Sequence, residues 1–294
     1  MDVTRHPDTV ARLLVPARDL SACMPAYLWR DTLAAAQLSE AQRSSWFPAT
    51  PLCGLTWTLA GDGWQLDEQG RRTPLPGPCL VTGPRSGPTR YLSHAGVRCF
   101  MAAITPEALQ ALTGLEPGTL KDRSVALGEG LGERGAPWQA LNRQLLAAAD
   151  AAECQRLLED FVRPRWQAIR ADPAQAVPAA LQHHYQDWLQ HLMLRAVAAG
   201  HGRSLRQVER RIKQWSGQSL RALRGISRAE AAFVQVRREL DEGRLVWAAL
   251  AQEAGYADQA HLCRESRRIT GFSPEELRRR LDHEEAFWAY RVWA

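Results

Sequence analysis

Lysine is almost missing from this chain. Only Lys121 and Lys213 occur among 37 basic residues, so arginine carries nearly all the positive charge. Arginine suits planar, bidentate contacts to guanine or phosphate. An arginine- and alanine-rich genome would leave the same bias, so composition alone does not choose between the two readings. Apolar runs long enough to cross a membrane are also missing. Residues 1–20 mix Asp2, Arg5, Asp8, Arg12 and Asp19 instead of following a signal-peptide pattern. The expectation is a cytoplasmic protein with no membrane partner. The six cysteines (Cys23, Cys53, Cys79, Cys99, Cys154 and Cys263) are scattered, with no CxxC pair. That spacing argues against a structural zinc site, and a reducing compartment argues against a disulfide framework. The first half offers only His6 and His94, too few for a strand-borne metal centre. Neither a metal nor another cofactor is expected.

What is present suits two domains. The chain has 294 residues, 45% of them hydrophobic, enough for a sizeable core. Its sequence pI of about 9.1 and formal charge of +5 suit a polyanion partner. Pro7, Pro16 and Pro25 break up the first thirty residues. Ser39 and Gln42 have the spacing of a capping box, but Pro48 and Pro51 follow, so any helix there is short. From Leu52 the period becomes two, with Cys53, Leu55, Trp57 and Leu59 on one face and a turn at Gly61-Asp62-Gly63. Further strands are expected around Cys79, Tyr91 and Val97 to Ala103, where Val97, Cys99, Met101 and Ala103 share a face. Thr105-Pro106-Glu107 then starts a helix. Cys53 and Cys99 lie on apolar strand faces, where a buried, inert thiol is a commoner outcome than a sensor. Trp29, Trp46, Trp57 and Trp64 suit a core more often than a ligand pocket.

From Pro137 the period turns helical: Trp138, Leu141 and Leu145, then Leu157, Leu158, Phe161 and Val162. Pro173 and Pro178 bracket small residues, so 171–180 is the expected linker between a domain at 1–170 and one at 181–294. His184 and His191 share a helix face. With no carboxylate or cysteine partner nearby, they read as ordinary solvated or satisfied histidines.

Two stretches of the C-terminal half share one plan. After Gly200-His201-Gly202, Ser204 and Gln207 form a capping box, and Leu205, Val208 and Ile212 form an inward stripe. Arg206, Glu209, Arg210 and Lys213 occupy the outer face, as a groove-reading helix requires. After Gly255, Asp258 caps a second basic helix with Leu262 and Ile269 inward. Gly271 ends it, and Ser273-Pro274-Glu275-Glu276 starts another. Residues 227–243 read as one long helix between the two units.

Repetition of a helix-turn-helix about a long helix, with the motif GYADQAHLCRESRRITGFSP, resembles the DNA-binding domain of AraC/XylS transcription regulators over residues 184–281. The resemblance implies an α+β chain. A small β-sheet or barrel with helices, for sensing or dimerisation, would precede an all-α double helix-turn-helix domain. At the N-terminal end the likeness rests on element order and on Tyr27-Leu28-Trp29. The resemblance also implies a dimer interface on the helices after Pro137. It puts Arg206, Glu209 and Arg210 of the first unit at base-reading positions, with Gln259, Ala260, His261, Cys263 and Arg264 of the second. Lys213 and Arg267 join them at the DNA. The expected partner is double-stranded DNA, with RNA polymerase, a small-molecule effector and a second copy of the chain as further candidates. The sequence departs from the family pattern at Ser266, where phenylalanine is usual, and at Trp247, whose bulk is expected to fill the missing volume.

No enzyme is expected. A methyl-accepting DNA-repair enzyme with AraC-like helices would need clustered cysteines and a nucleophilic cysteine beside a histidine, which this spacing does not provide. A regulator whose N-terminal domain only dimerises is the other alternative.

Overall fold

Successive side chains on a strand point to opposite faces, so alternation decides what each strand buries. The computed structural model describes residues 5–171, 205–241 and 246–293. Over Cys53–Ala60 (β4) the alternation sends Cys53, Leu55 and Trp57 into the core. β4 lies in a six-stranded antiparallel sheet. The order is β1 (Val10–Leu14), β2 (Ala26–Asp31), β9 (Arg98–Ile104), β4, β7 (Cys79–Thr82) and β10 (Ser124–Gly130). A four-stranded sheet accompanies it, ordered β3 (Ser44–Phe47), β8 (Thr89–Ser93), β5 (Gly63–Leu66) and β6 (Arg72–Pro74).

Helices cover one face of the larger sheet. The short capped helix at Ser39 is α1 (Glu40–Arg43), with both capping-box bonds made. The covering helices are α2 (Pro106–Thr113), α3 (Gly135–Leu146) and α4 (Ala151–Ala171). Tyr27, Trp57 and Phe100 pack there with Leu109, Trp138 and Leu158. The indole N–H of Trp57 donates to Asn142 Oδ1 at 2.8 Å, and Asn142 Nδ2 donates to the Leu127 carbonyl at 2.9 Å. This buried pair is fully matched, so Asn142→Ala should cost about 1–3 kcal/mol per group left without a partner, read as a lowered midpoint in urea titration.

The opposite face of the larger sheet, with Leu28, Thr56, Leu80, Cys99 and Met101, looks across a cavity of about 900 Å3. Of the four tryptophans, Trp29 and Trp57 are core, as expected, whereas Trp64 borders the cavity. The apolar stripe on α4 is spent within the chain. Leu158 and Val162 are buried in the core, and Leu157 and Phe161 pack against it.

The C-terminal half is all helix among the described residues: α5 (Leu205–Ser216), α6 (Leu220–Asp241), α7 (Trp247–Glu253), α8 (Gln259–Thr270) and α9 (Pro274–His283). A 3-10 turn, Glu285–Phe287, leads into α10 (Trp288–Trp293). The fold class is the expected α+β one. The long helix begins at Leu220, not Ser227, because the Ser219 hydroxyl accepts from the Ala222 N–H and caps it earlier. Residues 172–180 of the expected linker, His184, His191, the turn at 200–202, Ser204 and Gly243 lie outside the described residues.

Burial decides the chemistry of the thiols. It pushes Cys23, Cys99 and Cys154 up to about 12 and Cys79 up to about 11, and it raises Cys53 as well. Such thiols are protonated near neutrality, which favours packing over sensing. The sign of the linkage follows. The folded state holds protons that the unfolded chain, with thiols near 9, would release. Stability is therefore flat below about pH 8 and falls as pH rises from about 9 towards 12. Urea titrations across that range should show the fall. Iodoacetamide at pH 8 should modify native protein at half-exposed Cys263 alone.

Candidate nucleic-acid interface

The second unit is built by its turn and caps. Gly255 takes φ 74°, a left-handed conformation open to glycine, and lets the chain reverse after α7. Asp258 Oδ1 accepts from the His261 N–H at 2.6 Å and starts α8. Leu262, Ser266, Ile269 and Thr270 face inward. Gln259, Ala260, Arg264 and Arg267 are exposed on the outer face. Among the described residues neither Arg264 nor Arg267 has a carboxylate partner. Their neighbours differ: Arg268 pairs with Glu265 at 2.9 Å and Arg278 with Glu275 at 2.6 Å. Free guanidinium groups on an exposed face are what phosphate contacts require.

Two of the expected reading residues are less available. The His261 ring stands edge-on to Tyr256, 5.3 Å between centroids, and its Nδ1 accepts from the Ala257 N–H at 3.4 Å. It orders the turn. Cys263 is half-buried. On α5, Arg206, Glu209, Arg210 and Lys213 are all exposed and Ile212 is buried. The side chains of Leu205 and Val208 lie outside the described residues.

Ser266 and Trp247 each have a hydrogen-bond partner of their own. Ser266 Oγ donates to the Phe272 carbonyl at 2.8 Å, tying the end of α8 to the chain beyond it. Trp247 packs beside Val236, Leu250 and Leu262, and its indole N–H donates to Glu275 at 3.2 Å. Both residues border the cavity that also touches the larger sheet.

The least legible feature is where these helices end. Gln218, just past α5, donates from Nε2 to the Thr50 and Arg85 carbonyls at 3.0 and 3.1 Å. At the end of α8 the Ile269 carbonyl accepts from the Ala49 N–H at 2.7 Å. Gly271 (φ 86°) closes α8 so near the N-terminal domain that a Cβ there would lie 3.4 Å from Pro88 and 3.7 Å from Trp46. One segment of the N-terminal domain, residues 46–50, therefore meets the C-terminal ends of both helices. Their N-terminal halves, which enter a groove in this motif, remain exposed.

These two helices, each with an exposed basic face, fall within residues 197–280, which match the helix-turn-helix domain family. The C-terminal region is an AraC-type helix-turn-helix domain. Solved structures of ToxT from Vibrio cholerae are similar to the whole chain at low identity. ToxT in a P21 crystal form is 10% identical, covering 91% of this chain and 96% of that one, with a TM-score of 0.37. ToxT bound to (E)-4-(8-methylnaphthalen-1-yl)but-3-enoic acid is 9% identical, covering 92% and 97%, with a TM-score of 0.37. Wild-type ToxT bound to an unsaturated fatty acid is 9% identical, covering 79% and 93%, with a TM-score of 0.34. No curated protein matches the chain.

The seam between the helix-turn-helix domain and the sheet makes Gln218 a point of leverage. Gln218→Ala removes the side-chain donor shared by the Thr50 and Arg85 carbonyls, which keep each other's amides, and should destabilise the docked arrangement by about 0.5–1.5 kcal/mol for each bond lost. Limited trypsin digestion, followed by mass spectrometry, should show faster cleavage between the two domains with the N-terminal core still resistant.

Proposed function

We propose that this chain is a sequence-specific DNA-binding transcription regulator. The observation that carries the reading is the pair of helices, α5 and α8, each with an exposed basic face inside the matched domain. They would enter successive major grooves on one side of the duplex, about 34 Å apart. Arg264 and Arg267 would hold phosphates. Arg210, with Arg206 and Glu209 beside it, would read base edges. Cavity space beneath α8 and the methyl group of Ala260 make the second unit the poorer reader. Buried thiols held above their usual range are poor nucleophiles, which weighs against methyl-accepting repair.

An effector would occupy the cavity. Its walls include Thr56 and Met101 of the larger sheet and Leu262 and Ser266 of α8, so one molecule would touch both domains. Arg85 borders it, 5% exposed. Its Nη2 donates to Ser124 Oγ at 2.7 Å, Nε has no partner, and no carboxylate among the described residues pairs with it. A buried cation without a counter-ion favours an anionic ligand. The effector reading is therefore an organic anion with an apolar body. This observation also favours a sensing domain over one that only dimerises.

Binding-site selection at one salt concentration tests the DNA reading. Arg210→Ala should weaken the selected site by about 1–3 kcal/mol and relax one base position. Arg264→Ala should weaken all duplexes evenly and lower the log–log salt slope by about 0.9. A motif changed by Arg264→Ala and left intact by Arg210→Ala would reverse the assignment. For the effector, thermal shifts with apolar carboxylates should exceed those with the matching alcohols and vanish in Arg85→Gln.

A further inference from the structure

The last residues of the chain do something the helix-turn-helix fold does not require. A short helix at the end of such a domain would ordinarily dock aromatic side chains like Phe287 and Trp288 on the domain itself. Phe287 does so in part, packing against Phe272, but Trp46 of β3 joins the same cluster. Trp288 leaves the domain altogether. It is 1% exposed and packs between the two sheets, with Leu28 and Met101 of the larger and Phe47 of the smaller. Its indole N–H donates to Ser45 Oγ at 2.8 Å. Trp288 and Tyr290 also form part of the cavity wall.

A buried ion pair sits at the same place. Arg30 of β2 donates to Glu285 Oε1 at 2.6 Å, with side chains 4% and 2% exposed, and its guanidinium lies 5.2 Å from the centre of the Trp288 ring. Glu285 also accepts from Thr9 Oγ1 at 2.8 Å and from the His6 N–H at 3.2 Å, and Arg291 stands 3.7 Å away. Removing two charges from water costs nearly what their attraction returns. Such a pair fixes register better than it adds holding power, and both charges regain water if the segment withdraws. Because Arg30 borders the cavity, losing Glu285 would be relieved most cheaply by expelling the tail and hydrating Arg30.

We infer that residues 285–293 are a reversible latch. Seated between the sheets, they hold the second helix-turn-helix unit at a fixed place against the N-terminal domain; withdrawn, they free that unit and open the cavity. The outer face of α8 is exposed with the latch seated, so the seated state is the one competent for DNA. The cavity's occupant and the latch share the walls formed by Leu28 and Met101, which makes the latch the element an effector would bias.

Amide hydrogen exchange on the full chain tests the latch without DNA. In the wild type, α10 amides should exchange through a local opening, with protection well below that of β9. Glu285→Gln should lower α10 protection by a further tenfold or so and leave β9 unchanged. The double variant Arg30→Met/Glu285→Leu, which replaces the charges by apolar groups, should restore it. The duplex selected by the wild type should bind Glu285→Gln about tenfold more weakly, as expected when only a fraction of molecules is competent, and recover in the double variant. Three results would overturn the latch: α10 exchanging only at the rate of β9, both falling together in Glu285→Gln, or DNA affinity unmoved by a detached tail. Loss of DNA binding in every variant, with the exchange pattern as expected, would count against the regulator reading alone.

Discussion

Residues 46–50 of the N-terminal domain touch the C-terminal ends of both helices with exposed basic faces, and the rest of the architecture depends on that contact. The Ala49 amide holds the last turn of α8, the Thr50 carbonyl holds Gln218 past α5, and Trp46 meets Phe272 edge-on and stacks with Phe287. These are short, directional bonds to backbone groups, which fix position more closely than apolar contact does. A helix gripped by its far end keeps its near end free. On the proposed reading, the spacing of the two basic faces is therefore set in part by the N-terminal domain, not by the helix-turn-helix domain alone.

The same segment borders the cavity. Ser45, Phe47, Ala49 and Thr50 line it, and so does the inner face of α8. A molecule entering there would press on the elements that fix the helices, with no long relay between site and output. Arg85 joins both roles, since its carbonyl anchors Gln218 while the residue borders the cavity with no carboxylate partner among the described residues. The C-terminal latch adds a second grip on the same unit from the opposite side of β3.

How much of this was readable beforehand divides by range. Local signals carried well: the Ser39–Gln42 box, the Asp258 and Ser273 caps, the glycine stops and the alternation through Cys53, Leu55 and Trp57 are all present as read. Each is decided by neighbours within a few residues. The exposed stripes on α5 and α8 followed from helical period, although His261 turned to Tyr256 because its ring finds an aromatic edge there. Long-range choices left no trace. Nothing in the sequence near Gln218 marks a donor reaching Thr50, and the amphipathic pattern of α4 could not say whether its stripe would meet a second copy or its own sheet. The hydrogen bond of Ser266 left no trace either. A serine judged only by lost volume is in place a hydrogen-bond donor to Phe272. The place of Trp288 is likewise long-range, between the sheets and under Arg30 from the other end of the chain.

The most direct measurement of this arrangement is the distance between the two helices in the free protein. Spin labels at Glu209→Cys and Ala260→Cys, in a Cys263→Ser background, would report it by pulsed electron paramagnetic resonance. If the N-terminal domain sets the spacing, the free chain gives one narrow distance distribution, and adding the selected duplex leaves its centre and width in place. A broad distribution in the free chain that narrows only on DNA would show that the duplex, not the sheet, positions the helices, and would contradict the account.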